Sequence, residues 1–388
     1  MLFYATAQYK ETNKCTQSPV VVSTNPFKNG LQNNWKPKKS WSYVAKRLPN
    51  SASSNVRVDG TIDGFTNFWQ QSQTAQRPIK QPDQNWVSTM EVTKYHPAGG
   101  QIESKNAFGV FSSTIYGYNN TLPIAQANNA AYNQILALNF EAESNLSNTQ
   151  PVFISSNASH QLFELQKHMI DTDHFHSGFS SYKFADTVRL SAGYLNNQIQ
   201  TKINLITASG TTYQTKSSDY IGVFEPSTGK YVLSAWVKVT TPGATNAKPS
   251  IQFLSSTENP IIEHGSSNTT SQTFHPSGPI IDGWQKIEGF ITIDSNKKTF
   301  LLKLIPGTGQ TINIDDLRIQ PFNSEMNTYV YDPMSYRMAA ELDANNFATF
   351  YEYDKEGNLI RIKRETERGI VTVKEAKSGF LKTNPVNP

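Results

Sequence analysis

The densest run of metal-ligand types in this chain is Asp171-Thr172-Asp173-His174-Phe175-His176. Alternating histidines on a strand would set both imidazoles on one face with a carboxylate nearby, the donor set that zinc takes. A third ligand and an open position for water cannot be located, so the run reads as the polar entry to a hairpin. A second chemistry is the capture of sugars. Flat aromatic rings stack on the C–H faces of a pyranose, and amides or carboxylates fix its hydroxyls. Tyr194, Tyr213 and Tyr220 sit in Asn-, Gln- and Thr-rich surroundings and are the candidate ligand-binding residues. Tyrosine is also an ordinary strand residue, and a packing role competes for each of them. Trp236 and Trp284 fall on alternating strands and read as packing. Glycoside hydrolysis needs two acids across a cleft, and no pair stands out. There is no Gly-x-Ser-x-Gly elbow, Walker loop or His-Glu-x-x-His. No catalytic residue is assigned, and the chain reads as a non-enzyme.

The elements that would carry these residues are short strands. Tyr231 to Val239 alternates cleanly, as do Trp284 to Ile293, Phe300 to Ile305 and Thr311 to Ile319. Pro242-Gly243, Asp282-Gly283 and Pro306-Gly307 punctuate them, which predicts a sandwich or jelly roll over 136–322. Met90 to Tyr95 and Phe108 to Tyr118 predict further hairpin strands within 86–135. Pro123 followed by Ile124, Ala127, Ala131 and Ile135 predicts one short helix near 123–136. Residues 1–85 read as an irregular, loop-rich entry segment.

The 388 residues carry 17% charged and 11% aromatic side chains, a mixture that favours polar-faced strands over long helices. The net charge of +4 is weak, and only Lys36, Lys38 and Lys39 and the stretch from Arg361 to Arg368 gather cations. Nucleic acid is therefore not an expected partner. No apolar run approaches the roughly 18 residues of a membrane helix, and no membrane insertion is expected. The one cysteine, Cys15, excludes an internal disulfide scaffold. Both ends read as cut points or linkers, with 376–388 a tail, so the chain reads as a piece of a larger polypeptide.

The stretch 323–375 repeats. Tyr329-Val330-Tyr331-Asp332 returns 22 positions later as Tyr351-Glu352-Tyr353-Asp354, and the second copy runs on through Gly357 into Leu359-Ile360-Arg361-Ile362. A strand, an Asp-x-x-Gly turn and a second strand make a hairpin that has no core until neighbours stack on it. These residues resemble the Rhs or YD repeat. In the copy beginning at Tyr329, Pro333 and Asn345-Asn346 stand where a glycine turn is expected, and Tyr95 and Tyr116 mark more diverged copies.

Asn139-Phe140-Glu141, His176 to Tyr182, Gly229 to Lys238, Trp284-Gln285-Lys286 and Ile314-Asp315-Asp316-Leu317 resemble landmarks of jelly-roll carbohydrate-binding modules. With the text from Asn25 to Leu122, the arrangement is similar to the C-terminal part of very large exported proteins of Bacteroidota. The resemblance implies a mainly β fold, a jelly-roll β-sandwich flanked by Rhs/YD-like hairpins. It implies a secreted or cell-surface location and a non-catalytic module that binds a glycan or another cell-surface polymer. A wall segment of an Rhs-type β-shell is the structural alternative, and a carbohydrate-active enzyme the third. It also implies a structural calcium, which maps here to Glu141, Ser177, Gly178 and Asp316, hard oxygen donors of the kind that ion takes.

Overall fold

The computed structural model describes residues 36–44, 65–71, 85–95, 100–118, 121–141, 170–193, 226–243, 247–257, 269–295 and 299–376. It also describes Phe224 and short strand segments at 3–8, 17–19, 78–80, 152–153, 164–165, 203–206 and 211–215. They are almost all strand, and the chain divides into two compact units.

One unit comprises Met1–Ser112 with Lys202–Asp219. Its strands Phe3–Gln8, Lys36–Tyr43, Trp86–Tyr95 and Gln101–Asn106 lie side by side in that order. Tyr43, Phe68 and Trp86 are buried together, with Trp41 and Phe65 packed against them. Trp86 anchors this cluster edge to face, with Tyr43 and Phe68 each 5.2 Å from it.

The other unit, Ser113–Thr201 with Tyr220–Pro388, contains a sandwich and a hairpin sheet. In the first sandwich layer, Ser181–Phe184, Thr311–Pro321, Gly229–Thr241, Trp284–Ile293 and Pro276–Ile281 follow one another, with Leu136–Leu138 also paired to Thr311–Pro321. The second layer runs Val188–Gly193, Thr299–Ile305, Ser250–Ser256, Thr269–Phe274. Alternate residues meet between the layers: Tyr231, Leu233, Ala235 and Val237 from one strand, Ile251 and Phe253, Ile287 and Ile291, Leu302 and Leu304 from others. Each such Leu, Ile or Phe withdrawn from water contributes about 1.5–3 kcal/mol, which is why the clean period of two in the sequence commits these segments to strands.

The hairpin sheet orders Leu122–Asn128, Glu325–Tyr331, Met338–Leu342, Ala348–Tyr353, Leu359–Thr366 and Gly369–Glu375, each strand antiparallel to the next. The helix expected near 123–136 is absent apart from a single 3-10 turn, Tyr132–Gln134. Leu122–Asn128 is a strand whose Ala125 to Asn128 pair with Thr328 to Glu325. Small alanines fit either periodicity, and ladder pairing decided between them.

The repeat is realised as a recurrent turn. In Asp354 to Asn358 the Asp354 N–H donates to the Asn358 carbonyl at 3.0 Å, Gly357 N–H to the Asp354 carbonyl at 3.0 Å, and the Asp354 carboxylate accepts the Asn358 N–H at 2.7 Å. Asp343 to Phe347 repeats this pattern, its carboxylate accepting the N–H groups of Asn345 and Phe347. The fourth residue must take positive φ, +88° at Gly357 and +65° at Asn346. Asparagine tolerates that region better than other side-chain-bearing residues, so Asn346 holds at this turn the place that Gly357 holds at the other.

Candidate functional site

The functional groups of the second unit collect on the outer face of the first sandwich layer. The sequence breaks phase there. Ile312 and Ile314 point into the core, but the next inward residues are Leu317 and Ile319, one position late. The extra residue is a β-bulge: Ser234 pairs with Arg318 and Trp236 with Asp315, leaving Asp316 and Leu317 opposite Ala235. Asp316 takes φ +48°, and both acids turn to the outer side.

The loop 172–180 closes over them. Asp315 Oδ2 accepts the N–H groups of His176 at 2.9 Å and Ser177 at 3.3 Å, and Asp316 Oδ1 accepts the Ser177 hydroxyl at 2.9 Å. His176 lies 2.8 Å from Asp316 through Nδ1 and 2.9 Å from Glu365 through Nε2, stacked on Trp236 at 4.3 Å. Glu365, from the hairpin sheet, also accepts the Ala348 N–H at 3.0 Å. His174 instead points to solvent beside Asp171 at 3.3 Å, so the two histidines do not share a face. Asp171 is tied to Asn313, Lys183 and the Asp173 N–H.

The residues mapped for calcium are brought together. Glu141 Oε1 accepts the Phe179 N–H at 2.9 Å. A Cβ on Gly178, which has φ +71°, would fall 1.9 Å from that oxygen and 2.5 Å from Val330 Cγ1, so only glycine fits. Of the tyrosines, Tyr194 and Tyr220 lie outside the described residues. Tyr213 is on the strand Thr211–Thr215, opposite Leu205 and Gln17, and belongs to the other unit.

The cluster holds four buried carboxylates, Glu141, Asp315, Asp316 and Glu365, and two buried cationic groups, His176 and Arg318. Burial pushes the Glu141 carboxyl up to about 8, with the charge of Asp316 adding to it. Burial also raises Asp315 well above the usual range, helped by Asp316 and Glu141. Burial pulls the His176 imidazole down, but bonds to Asp316 and Glu365 outweigh it and hold the imidazolium up to about 9. Two protons on the acids, or one divalent cation, would leave the cluster neutral.

The hairpin turn Asp343 to Phe347 seats on the same face. Trp236 Nε1 donates to the Asn346 carbonyl at 2.7 Å, and Asn346 Nδ2 donates to Asp316 O at 3.0 Å and Ser234 Oγ at 3.2 Å. Arg318 donates to the carbonyls of Met326 and Asp343 at 3.1 and 2.8 Å. Trp236, Ile281 and Trp284 form their own cluster with Phe347 against it. The tryptophans are packing residues, as their alternation predicts, but on the outer face rather than in the main core. As a result Thr311–Pro321 is buried on both faces from Ile312 to Gln320.

No family model matches the chain, and no curated protein matches it. Among solved structures it is similar to the CBM22-1 xylan-binding domain of Paenibacillus barcinonensis Xyn10C, at 12% identity and TM-score 0.21, over 39% of this chain and 78% of that one. It is also similar to TmCBM61 in complex with beta-1,4-galactotriose, at 11% identity and TM-score 0.20, over 40% and 83% of the two chains. The K3 cleaved adhesin domain of Lys-gingipain from Porphyromonas gingivalis w83 matches at 13% identity and TM-score 0.18, over 37% and 74%. Each likeness covers less than half of this chain.

Sequence reasoning missed Glu365 and Asn346. Both lie in the repeat, at positions that look like ordinary strand and turn residues. One signal was legible: the phase slip between Ile314 and Leu317, which marks the bulge that turns Asp315 and Asp316 outward.

Beyond the covered region the same face is open. By strand register Val232 lies between Gln320 and Phe290, and Lys230 lies beside Thr292, all pointing away from the core. Phe322 donates its N–H to the Lys230 carbonyl at 2.9 Å. Phe290 and Phe322 are 51% and 47% exposed, edge to face at 5.4 Å.

Proposed function

We propose that this chain is a non-catalytic glycan-binding and display module of a larger exported, surface-located Rhs-like protein of Bacteroidota. The sandwich is the displayed part and the hairpin sheet its mount. The observation that carries this reading is the division of the sandwich's outer face. One end is locked to the hairpins through Trp236, Asn346, His176 and Glu365, while the other presents aromatic rings to solvent. The two acids held in protonatable form, Glu141 and Asp315, are buried and bonded to backbone, which suits a structural rather than a hydrolytic role. Affinity electrophoresis of the intact chain through gels containing a panel of neutral and acidic polysaccharides tests it. Retardation by at least one polymer is expected. No retardation by any of them would turn the reading to the alternative, a wall segment of a β-shell, which the sealing of the Trp236 end also favours.

The same reading includes a structural calcium. The surplus of two buried carboxylates fits a divalent cation. Among the described residues no three His, Cys, Asp or Glu side chains are grouped to hold a metal. Glu141 and Asp316 would therefore hold it together with the backbone carbonyls of Ser177 and Gly178. Such an ion would supply charge neutralisation and pin the loop 172–180 to the bulge. Removing it with a chelator is expected to lower the Tm of the intact chain, and restoring calcium, but not magnesium, to recover it. A Tm indifferent to both would remove the ion from the proposal.

A further inference from the structure

We infer that the open end of the sandwich face is a binding site for an acidic sugar, centred on Lys230 between Phe290 and Phe322. This rests on the glycan-binding reading above and names the ligand class and the place. Lys230 Nζ lies 3.9 Å from the Phe290 ring centroid and 4.4 Å from that of Phe322. The two rings hold the ammonium in place, yet no carboxylate among the described residues pairs with it. Other outward lysines of this face are engaged: Lys286 pairs with Glu288 at 2.6 Å and donates to the Asn345 carbonyl at 2.7 Å, and Lys238 donates to the Asp282 carbonyl at 3.4 Å. Lys230 is thus a positioned cation with no carboxylate partner among the described residues.

Two rings about half exposed on a flat strand face suit the apolar C–H side of a pyranose, and the ammonium suits a carboxylate carried on that ring. Gln320 lies on the far side of Val232 and is itself buried. Two strand spacings separate it from Phe290, about 10 Å. Its Nε2 donates to the Ser324 carbonyl at 3.3 Å, while its buried Oε1 receives no hydrogen bond among the described residues. A neutral sugar would leave the ammonium unpaired, and a simple anion would leave the rings bare.

The test is affinity electrophoresis of the intact chain and its variants against polygalacturonate, alginate, neutral xylan and polyaspartate. Binding to one of the acidic polysaccharides is expected, weakening as salt rises. Lys230→Gln and Phe290→Ser should each weaken it about tenfold, while Lys230→Arg retains it. Both positions are exposed enough that a near-UV circular dichroism spectrum matching the parent verifies the fold. Equal retention by polyaspartate would overturn the inference, since that polymer offers charge without a sugar face. Retention by xylan alone, or acidic binding untouched by the variants, would also overturn it, and the broader glycan-binding reading would survive. Failure to bind any polysaccharide would remove both.

Discussion

The two ends of one sheet face have opposite fates. At one end Ser234, Trp236 and Arg318 meet the hairpin turn and are sealed. At the other, Lys230, Val232 and Phe290 lie on the same strands with the same outward alternation, and Lys230 and Phe290 are open to solvent. The strands do not differ in kind. What differs is whether a second element brings donors and acceptors that match. The sealed end carries a buried arginine, histidine and two aspartates, which is stable only because Asn346, Glu365 and two backbone carbonyls answer them. The open end carries few such groups and needs no cover. Polarity on a strand's outer face is therefore no guide to exposure by itself.

That contrast gives predictions of decreasing size. Trp236→Ala should cost about 3–5 kcal/mol of unfolding free energy by urea titration, whereas Phe290→Ala on the open end should stay within about 0.5 kcal/mol. Similar losses at both would mean that the two ends are covered alike. Gly178→Ala should cost about 2–4 kcal/mol, because positive φ and the contact with Glu141 both oppose a methyl group. The two turns sharpen the same point at smaller scale. Asn346→Gly keeps the turn conformation but removes the bonds to Asp316 and Ser234, and should cost about 1–2 kcal/mol. The reverse change at the exposed turn, Gly357→Asn, should cost less, since the neighbour it meets is the mobile end of Arg337. If both changes cost the same, the buried contacts of Asn346 contribute nothing.

The smallest effect is one of pH. Burial pushes the Asp171 carboxyl up, but hydrogen bonds from Asn313, the Asp173 N–H and Lys183 prevail and hold it well below the usual range. Its folded form is thus favoured above the ordinary carboxylate pKa of about 3.9, and that contribution fades as pH falls below it. Melting curves of the parent and Asp171→Asn should converge as the solution is acidified. A gap that persists at low pH would show that Asp171 acts by shape alone.

Much of this was written locally. The alternation of Tyr231 to Val239 and Trp284 to Ile293 became strands of the sandwich, and the Asp-x-x-Gly signal at Asp354 became a hairpin turn. Glu141, Ser177-Gly178 and Asp315-Asp316, far apart in the chain, meet where one loop closes over the bulge. The segment 123–136 was misleading because Ile124, Ala127 and Ala131 satisfy a helical spacing, yet Glu325 to Thr328 offered a ladder partner.

The sequence by itself determined strand and turn, since these follow from period and from residues that tolerate positive φ, whereas the bulge at Asp315-Asp316 interrupts a strand read as cleanly alternating. Only the tertiary structure decided which outward face is sealed. His176 meets Glu365, and Trp236 meets Asn346, across separations in the chain that no local pattern spans. Burial of a polar group depends on a partner arriving from elsewhere, and the chain reveals that partner only when it is folded.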